Sequence, residues 1–380
     1  MSNPRQFPSP DTLSHLLLTL TAISGEYPTS QVARLPGGGS YKENLLTRLR
    51  RSKLLRTYYR DGLRGLRLTA SAKALLLAEQ PEQFRPYLTG NTETNALKSE
   101  VTRRLRLHRM AEVLTTMFNA DIFLFWDEKE ALFSSSLYAP PAPIRVPAYY
   151  SSREVKELGP QAIKIRGSRS TGVLISDGGI FVVYNTGSSL MKWEYKAEMR
   201  MKALLQTELC NRRLTSQFRT AAIQGLVFGS SMDMLYSLMA NTADLRRNYF
   251  ILDGNFDSFH YLTSDHQGEV ILQLLCCPEQ RAALDGILRE NLAPKKPGWP
   301  IEHDAVDETN APVLFGYTCD MPRIQRFDAA LELQGKVGTL ICFDFQESAL
   351  HQICGPRVAF QSIDFEKFER SVFHTEENFD

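Results

Sequence analysis

The first eighty residues constrain this chain most, through the order in which they place apolar runs, chain breakers and positive charge. Residues 13–23 (LSHLLLTLTAI) are apolar enough for a buried helix, and residues 30–33 offer a short second helix capped by Thr29 or Ser30. Pro36-Gly37-Gly38-Gly39 then breaks the chain. Ser40 is placed to cap a third helix over residues 41–55, in which Leu45, Leu46 and Leu49 share an inner face while Lys42, Asn44, Arg48 and Arg51 sit mainly outside it. Residues 55–59 and 66–69 read as two strands around Arg60-Asp61-Gly62-Leu63-Arg64-Gly65, whose glycines permit a tight reversal. A further helix opens over residues 68–73.

Helix, turn, basic helix and basic hairpin in that order predict a winged helix-turn-helix over residues 1–95. Its third helix is expected to enter a major groove of duplex DNA with Lys42, Asn44, Arg48 and Arg51. Arg56, Arg60 and Arg64 would ride on the wing beside the neighbouring backbone or minor groove. Charge supports the same reading: the whole chain carries a net charge of only +1, yet residues 1–110 hold 18 Lys and Arg against 8 Asp and Glu. The remainder is acidic, which is the asymmetry of a protein with one polyanion-binding end. A solvated helix face is the competing explanation for the run at residues 48–53 (RLRRSK).

With 380 residues, 43% of them hydrophobic, the chain can bury the cores of two or three domains. Residues 1–9 lack the basic-then-apolar pattern of a secretory leader, and no run approaches the roughly 18 apolar residues of a membrane span, so a cytoplasmic or nucleoid-associated location without membrane contact is expected. Six cysteines are scattered without a C-x-x-C pair or a histidine at zinc spacing, which predicts buried free thiols. The phosphate-binding, dinucleotide-binding, zinc-protease and serine-hydrolase motifs are all missing, so those enzyme classes lose their usual support.

Residues 90–98 (GNTETNALK) read as a linker into a second domain over residues 96–245, which starts with an amphipathic helix at 99–120 containing His108 as a packed or capping residue. A strand is expected at 121–126 and a proline-dense surface connection at 138–143. Residues 172–176 and 180–184 flank Asp177-Gly178-Gly179 as a hairpin, residues 190–195 (LMKWEY) alternate as a third strand, and residues 196–210 show helical spacing. In such a meander Asp177 and Glu194 would hold Mg²⁺ or Mn²⁺ against a scissile phosphate, and Lys196, one strand repeat from Glu194, would orient or activate water. An ion pair of Glu194 or Glu198 with Lys196 or Lys202 explains the same residues structurally. Beyond residue 210 the chain reads as further strands at 226–228, 249–252, 270–275, 339–343 and 358–360 with helices at 231–239, 278–290 and 346–354, a loop at 291–310 and an acidic end at 376–380, and residues 246–380 of it as a C-terminal α/β extension. The fold class is therefore mixed α/β.

The layout resembles the replication-relaxation family of plasmid and conjugative-element proteins from Gram-positive bacteria. The resemblance rests on the N-terminal module ending in Leu66-Arg67-Leu68-Thr69 and the helix with Leu105-Arg106-Leu107-His108-Arg109-Met110. It rests also on Ser176-Asp177-Gly178-Gly179-Ile180 and on Trp193-Glu194-Tyr195-Lys196 followed by a helix, and it covers about residues 10–210. It implies DNA binding in plasmid replication, relaxation or mobilisation on a body similar to the restriction-endonuclease fold, and it does not imply cleavage. Ser176 stands where the nuclease pattern carries proline.

The adjacent tyrosines Tyr58-Tyr59 and Tyr149-Tyr150 have no histidine cluster beside them, which argues against a tyrosine relaxase; Tyr58 and Tyr59 read as wing residues, one inside and one outside. His260 and His266 read as hairpin decoration rather than a metal pair. Three functions follow. The first is a DNA-binding accessory protein whose acidic body recruits a relaxase, a replication protein or a second copy of the chain as a homodimer. The second is a metal-dependent nuclease using Asp177, Glu194 and Lys196 with Mg²⁺ or Mn²⁺, the first reading needing no cofactor. The third is a transcription regulator with a C-terminal sensing domain.

Overall fold

The computed structural model describes residues 8–133, 144–155, 168–241 apart from 212, 215, 216, 219 and 220, and 249–373. The proline-dense connection at 138–143, most of the N-terminal segment at 1–9 and the acidic end at 376–380 lie outside the described residues. The protein is mixed α/β and divides into two units, Met1–Asn119 with Phe123–Lys129 and Ala120–Ile122 with Glu130–Asp380.

In the first unit, α1 (Leu13–Ser24) starts at Thr12, whose hydroxyl accepts the His15 N–H at 3.3 Å, and buries Leu17, Leu18, Leu20 and Ile23. Then follow β1 (Tyr27–Pro28), a 3-10 helix (Thr29–Arg34), α2 (Gly39–Arg51), β2 (Leu55–Arg60), β3 (Leu63–Leu68), α3 (Ala70–Glu79), α4 (Pro81–Leu88) and α5 (Val101–Asn119). The three strands form an antiparallel sheet in the order β1-β3-β2. Several local expectations shift. The second helix is a 3-10 turn, which suits a segment of only six residues closed between Pro28 and Leu35. Gly38 and not Ser40 occupies the N-cap of α2, and α2 ends at Arg51 because Lys53 takes φ 56°, outside the helical region. The strands run to the very tip of the hairpin, leaving a two-residue turn in which Asp61 (φ 52°) and Gly62 (φ 75°) are both left-handed, as a type I′ turn requires. Residues 121–126 form no strand, since Asp121 has φ 56°.

The second unit contains two five-stranded sheets. The first begins with β4 (Ala148–Ser151) and a helical turn α6 (Ser152–Val155), followed by the hairpin of β5 (Gly172–Ser176) and β6 (Gly179–Gly187), all antiparallel. α7 (Tyr195–Leu204) continues into a π-helical turn (Leu205–Cys210) before β7 (Ile223–Gly229), α8 (Asp233–Met239) and β8 (Phe259–Thr263), with β6, β7 and β8 parallel. After α9 (His266–Cys276) and α10 (Pro278–Leu288), the second sheet is built from β9 (Ala293–Pro294), β10 (Ala305–Val306), β11 (Pro312–Phe315), β12 (Gly338–Phe343) and β13 (Val358–Ile363) in the order β13-β12-β11-β10-β9. The parallel strands β11, β12 and β13 are joined by α11 (Met321–Gln334) and α12 (Asp344–His351), and α13 (Phe365–Phe373) follows.

The expected third strand at 190–195 is not formed: Lys192 makes one bridge to Tyr249, and the strand beside β6 is β7. Residues 249–252 likewise hold only that bridge. Residues 270–275 are helical within α9, which starts at Asp265, whose carboxylate accepts the Gly268 N–H at 3.1 Å. No helix among the described residues is long and apolar enough to cross a membrane.

Candidate nucleic-acid interface

α2 is amphipathic by position. Leu45 and Leu49 are buried, Asn44, Thr47 and Arg51 are exposed at helical spacing on the opposite side, and Tyr41 and Arg48 are exposed on the flank between the two. Lys42 departs from expectation. At 100° per residue it falls three before Leu45 and seven before Leu49, on the inner side, and its Nζ donates to the carbonyls of Ala33 (2.7 Å) and Leu35 (2.6 Å). It closes the end of the 3-10 helix and is not part of the outer face. Arg48 donates from Nη2 to Ser14 Oγ at 3.0 Å yet stays exposed, bracing α2 on α1.

The hairpin presents two faces. Leu55, Leu66 and Leu68 are buried on one, and at its tip Tyr59 and Arg64 face each other on that same side. Tyr59 is 70% exposed there, the largest fraction among the aromatic residues of the described chain. Arg56, Arg60 and Arg64 are exposed as well. Arg60 pairs with Asp61 at 3.3 Å, whereas Arg51, Arg56 and Arg64 meet no carboxylate among the described residues.

The other face of the hairpin holds a buried charge cluster that sequence reasoning missed. The Glu26 carboxylate, fully buried, accepts from Arg67 Nε (2.7 Å), from Arg104 Nη2 (2.6 Å) and from His108 Nε2 (2.9 Å). Burial pushes its pKa up, but the hydrogen bonds from His108, Arg104 and Arg67 outweigh burial and hold it at about 2. The Arg67 guanidinium lies over the Tyr58 ring at 3.7 Å and that of Arg104 at 4.7 Å. Arg104, on α5, also donates from Nη1 to the Arg60 carbonyl (2.7 Å) and from Nη2 to the Leu63 carbonyl (3.0 Å), the two residues that flank the turn. Two of the arginines counted in the basic end are thereby committed to Glu26. Only an acidic residue just before a two-residue strand hinted at this cluster, and nothing in the sequence names its partners.

The residues expected to form a nuclease site are not brought together. Asp177 is exposed in the turn that precedes β6, while Trp193, next to Glu194, packs on Tyr184 with ring centroids 5.2 Å apart. Tyr184 lies five residues along β6 from Gly179, roughly 16 Å at 3.3 Å per residue. Glu194 is the exposed N-cap residue of α7, and Lys196 is exposed in its first turn. The buried carboxylate of the segment is Glu198, which accepts from the Tyr184 hydroxyl (2.7 Å), Ser168 Oγ (2.9 Å) and the Arg169 N–H (2.9 Å). Burial raises its pKa against those hydrogen bonds. It is fully used in holding α7 on the sheet.

The remaining candidates are structural. Tyr149 and Tyr150 are buried in β4, and burial raises both phenols above the usual range. His260 sits buried on β8 between the Thr318 carbonyl (3.1 Å) and Gln224 Oε1 (3.1 Å), and His266 opens α9, so neither decorates a hairpin. All six cysteines are free, four of them buried. No group of three or more His, Cys, Asp or Glu able to hold a metal occurs among the described residues. Comparison of the chain with protein-family models, with curated proteins and with solved structures returns no match.

Proposed function

We propose that this chain is a double-stranded-DNA-binding accessory protein whose first unit acts as a winged helix, with α2 entering a major groove and the β2–β3 hairpin lying against the adjacent backbone. The carrying observation is a concentration of exposed polar and basic side chains in the first unit: Asn44 and Arg51 on the outer face of α2 with Arg48 at its flank, and Arg56 and Arg64 on opposite faces of the hairpin that follows it. Asparagine and arginine can pair in bidentate fashion with adenine and guanine edges, and arginines off the groove bind phosphates. The order of helix, short strand, turn, helix and hairpin supports the winged-helix assignment, with a 3-10 turn in place of its second helix.

The second unit has an antiparallel three-strand meander, a helix and a parallel strand, an order compatible with a nuclease-like body. The separation of Asp177 from Glu194 favours a binding role for that body over cleavage, with a relaxase, a replication protein or a second copy as its partner. A role in replication, relaxation or mobilisation of a mobile element rests on the family resemblance alone.

The test is a mobility-shift titration of labelled linear and supercoiled DNA across salt, with and without Mn²⁺, scoring cleavage in the same lanes. A metal-independent shift with a log-log salt slope of about −5, the value for five or six neutralised phosphates, is expected. Absence of any shift sinks the proposal, and Mn²⁺-dependent nicking lost in Glu194→Ala would restore the nuclease reading.

A further inference from the structure

We infer that Tyr59 is a stacking platform for an unpaired nucleobase, so that the preferred ligand is DNA in which a duplex meets a single-stranded or melted segment. This rests on the DNA-binding reading above and narrows its substrate. Three observations lead to it. The Tyr59 ring is 70% exposed at the end of a strand, directly across from Arg64 and beside Arg60. Its neighbour Tyr58 is covered by the Arg67 and Arg104 guanidinium groups, so the strand spends one aromatic side chain on the protein and leaves the next one bare. The tip that carries it is held: Arg104, wholly buried, donates to the carbonyls on both sides of the Asp61-Gly62 turn and is itself anchored on Glu26.

A phosphate contact needs a cation or a hydrogen-bond donor; Arg60 and Arg64 already supply cations at the tip, and a tyrosine hydroxyl would use only the edge of the ring and leave its exposed face idle. A base face does. Stacking on an aromatic ring is tolerant of sequence, is strengthened by a neighbouring arginine, and requires that the base be out of its own stack. A platform fixed before the ligand arrives loses little freedom on binding, and the bond from Arg104 to the Arg60 carbonyl provides that fixity. Tyr59 and Arg64 face each other on the same side of the hairpin as the buried Leu55, Leu66 and Leu68, so a base stacked on the ring also lies within reach of the Arg64 cation.

The experiment compares the full chain with Tyr59→Ala, Tyr59→Phe and Arg51→Ala on two probes of equal length, an intact duplex and a fork with 2-aminopurine at the first unpaired position. The wild-type protein is expected to bind the fork more tightly and to quench its fluorescence. Tyr59→Ala should lose about 5- to 100-fold on the fork with little change on the duplex, whereas Tyr59→Phe, which keeps the ring, should behave as wild type. Arg51→Ala should weaken both probes alike. Equal wild-type affinity for the two probes, or a fork preference that survives Tyr59→Ala, overturns the stacking inference while leaving duplex binding in place. Loss in Tyr59→Phe equal to that in Tyr59→Ala overturns it too, by assigning the effect to the hydroxyl. Failure of the wild-type protein to bind either probe overturns the DNA-binding reading itself.

Discussion

Gly65 leaves the space that the Glu26 carboxylate fills: a Cβ on Gly65 would stand 2.3 Å from Glu26 Oε1. The glycine lies opposite Tyr58 in the hairpin, on the face where Arg67 and Arg104 converge. Gly65→Ala is therefore expected to destabilise the first unit by roughly 2 kcal/mol or more, as overpacking beside a buried charge does. Gly62→Ala, where φ is +75° but the surrounding space is open, should cost only about 1–2 kcal/mol for the left-handed backbone. Denaturant unfolding of the two variants checks the order, and a Gly65→Ala protein as stable as wild type would contradict the packing described.

Removing the acid from the cluster strands two buried arginines. Glu26→Gln is expected to cost about 3–5 kcal/mol. The pH dependence has a definite sign: the folded pKa of about 2 lies below the ordinary 4.5, so the stabilisation is fully present above 4.5 and is lost as the pH falls toward 2. The loss is on the order of 3 kcal/mol. Unfolding midpoints measured from pH 7 down to pH 2 should fall for the wild-type protein and flatten over the 4.5-to-2 window in Glu26→Gln.

Arg51 and Lys42 are both basic residues of α2 and should respond differently. Arg51→Ala leaves folding intact and should lower duplex affinity about 5- to 100-fold, with a salt slope smaller by about 1 if the contact is to phosphate. Lys42→Ala should instead lower the melting temperature, because the carbonyls of Ala33 and Leu35 lose a charged donor worth about 1.5–3 kcal/mol, and leave the salt slope unchanged. Anisotropy titrations at several salt concentrations, paired with thermal unfolding, separate the two; a reduced slope in Lys42→Ala would return that lysine to the interface.

In the second unit the informative pair is Glu194 and Glu198. Glu194→Ala, at an exposed cap position without a side-chain hydrogen bond, is expected to change stability by less than about 0.5 kcal/mol and to leave DNA binding as it was. Glu198→Ala leaves the buried Tyr184 hydroxyl without its acceptor and should cost about 1–3 kcal/mol. Calorimetric unfolding of both variants is the check, and equal effects would contradict the burial difference between them.

What could be read from the residues followed local chemistry. Thr12 ahead of an apolar run, Asp61-Gly62 between alternating strands and Asp177-Gly178 between β-branched runs each specify their own backbone, and α1 and both hairpins appear where expected. The body was misread where apolar composition is ambiguous. Residues 270–275 (VILQLL) suit a buried strand as well as a buried helix, and only the Asp265 cap, followed by Gly268 and Glu269, marked the helix start. Leu190–Tyr195 alternation suggested a strand, yet Met191 and Trp193 are buried without pairing in the sheet; Trp193 lies tilted against Tyr184 and edge-to-face with Phe250. In the interface, exposed residues of α2 and the hairpin were legible from spacing. Lys42 was not, because which carbonyls lie within reach of its ammonium depends on where the 3-10 helix ends.

The hold of Arg104 on the hairpin has a calorimetric consequence. A recognition surface that must fold around its ligand adds the heat-capacity signature of that folding to the signature of the contact. Here the carbonyls of Arg60 and Leu63 are already satisfied and the turn already fixed before any ligand is met. The heat capacity of association at this tip should therefore report only the surface removed from water in the contact, and it should scale with the footprint on the ligand.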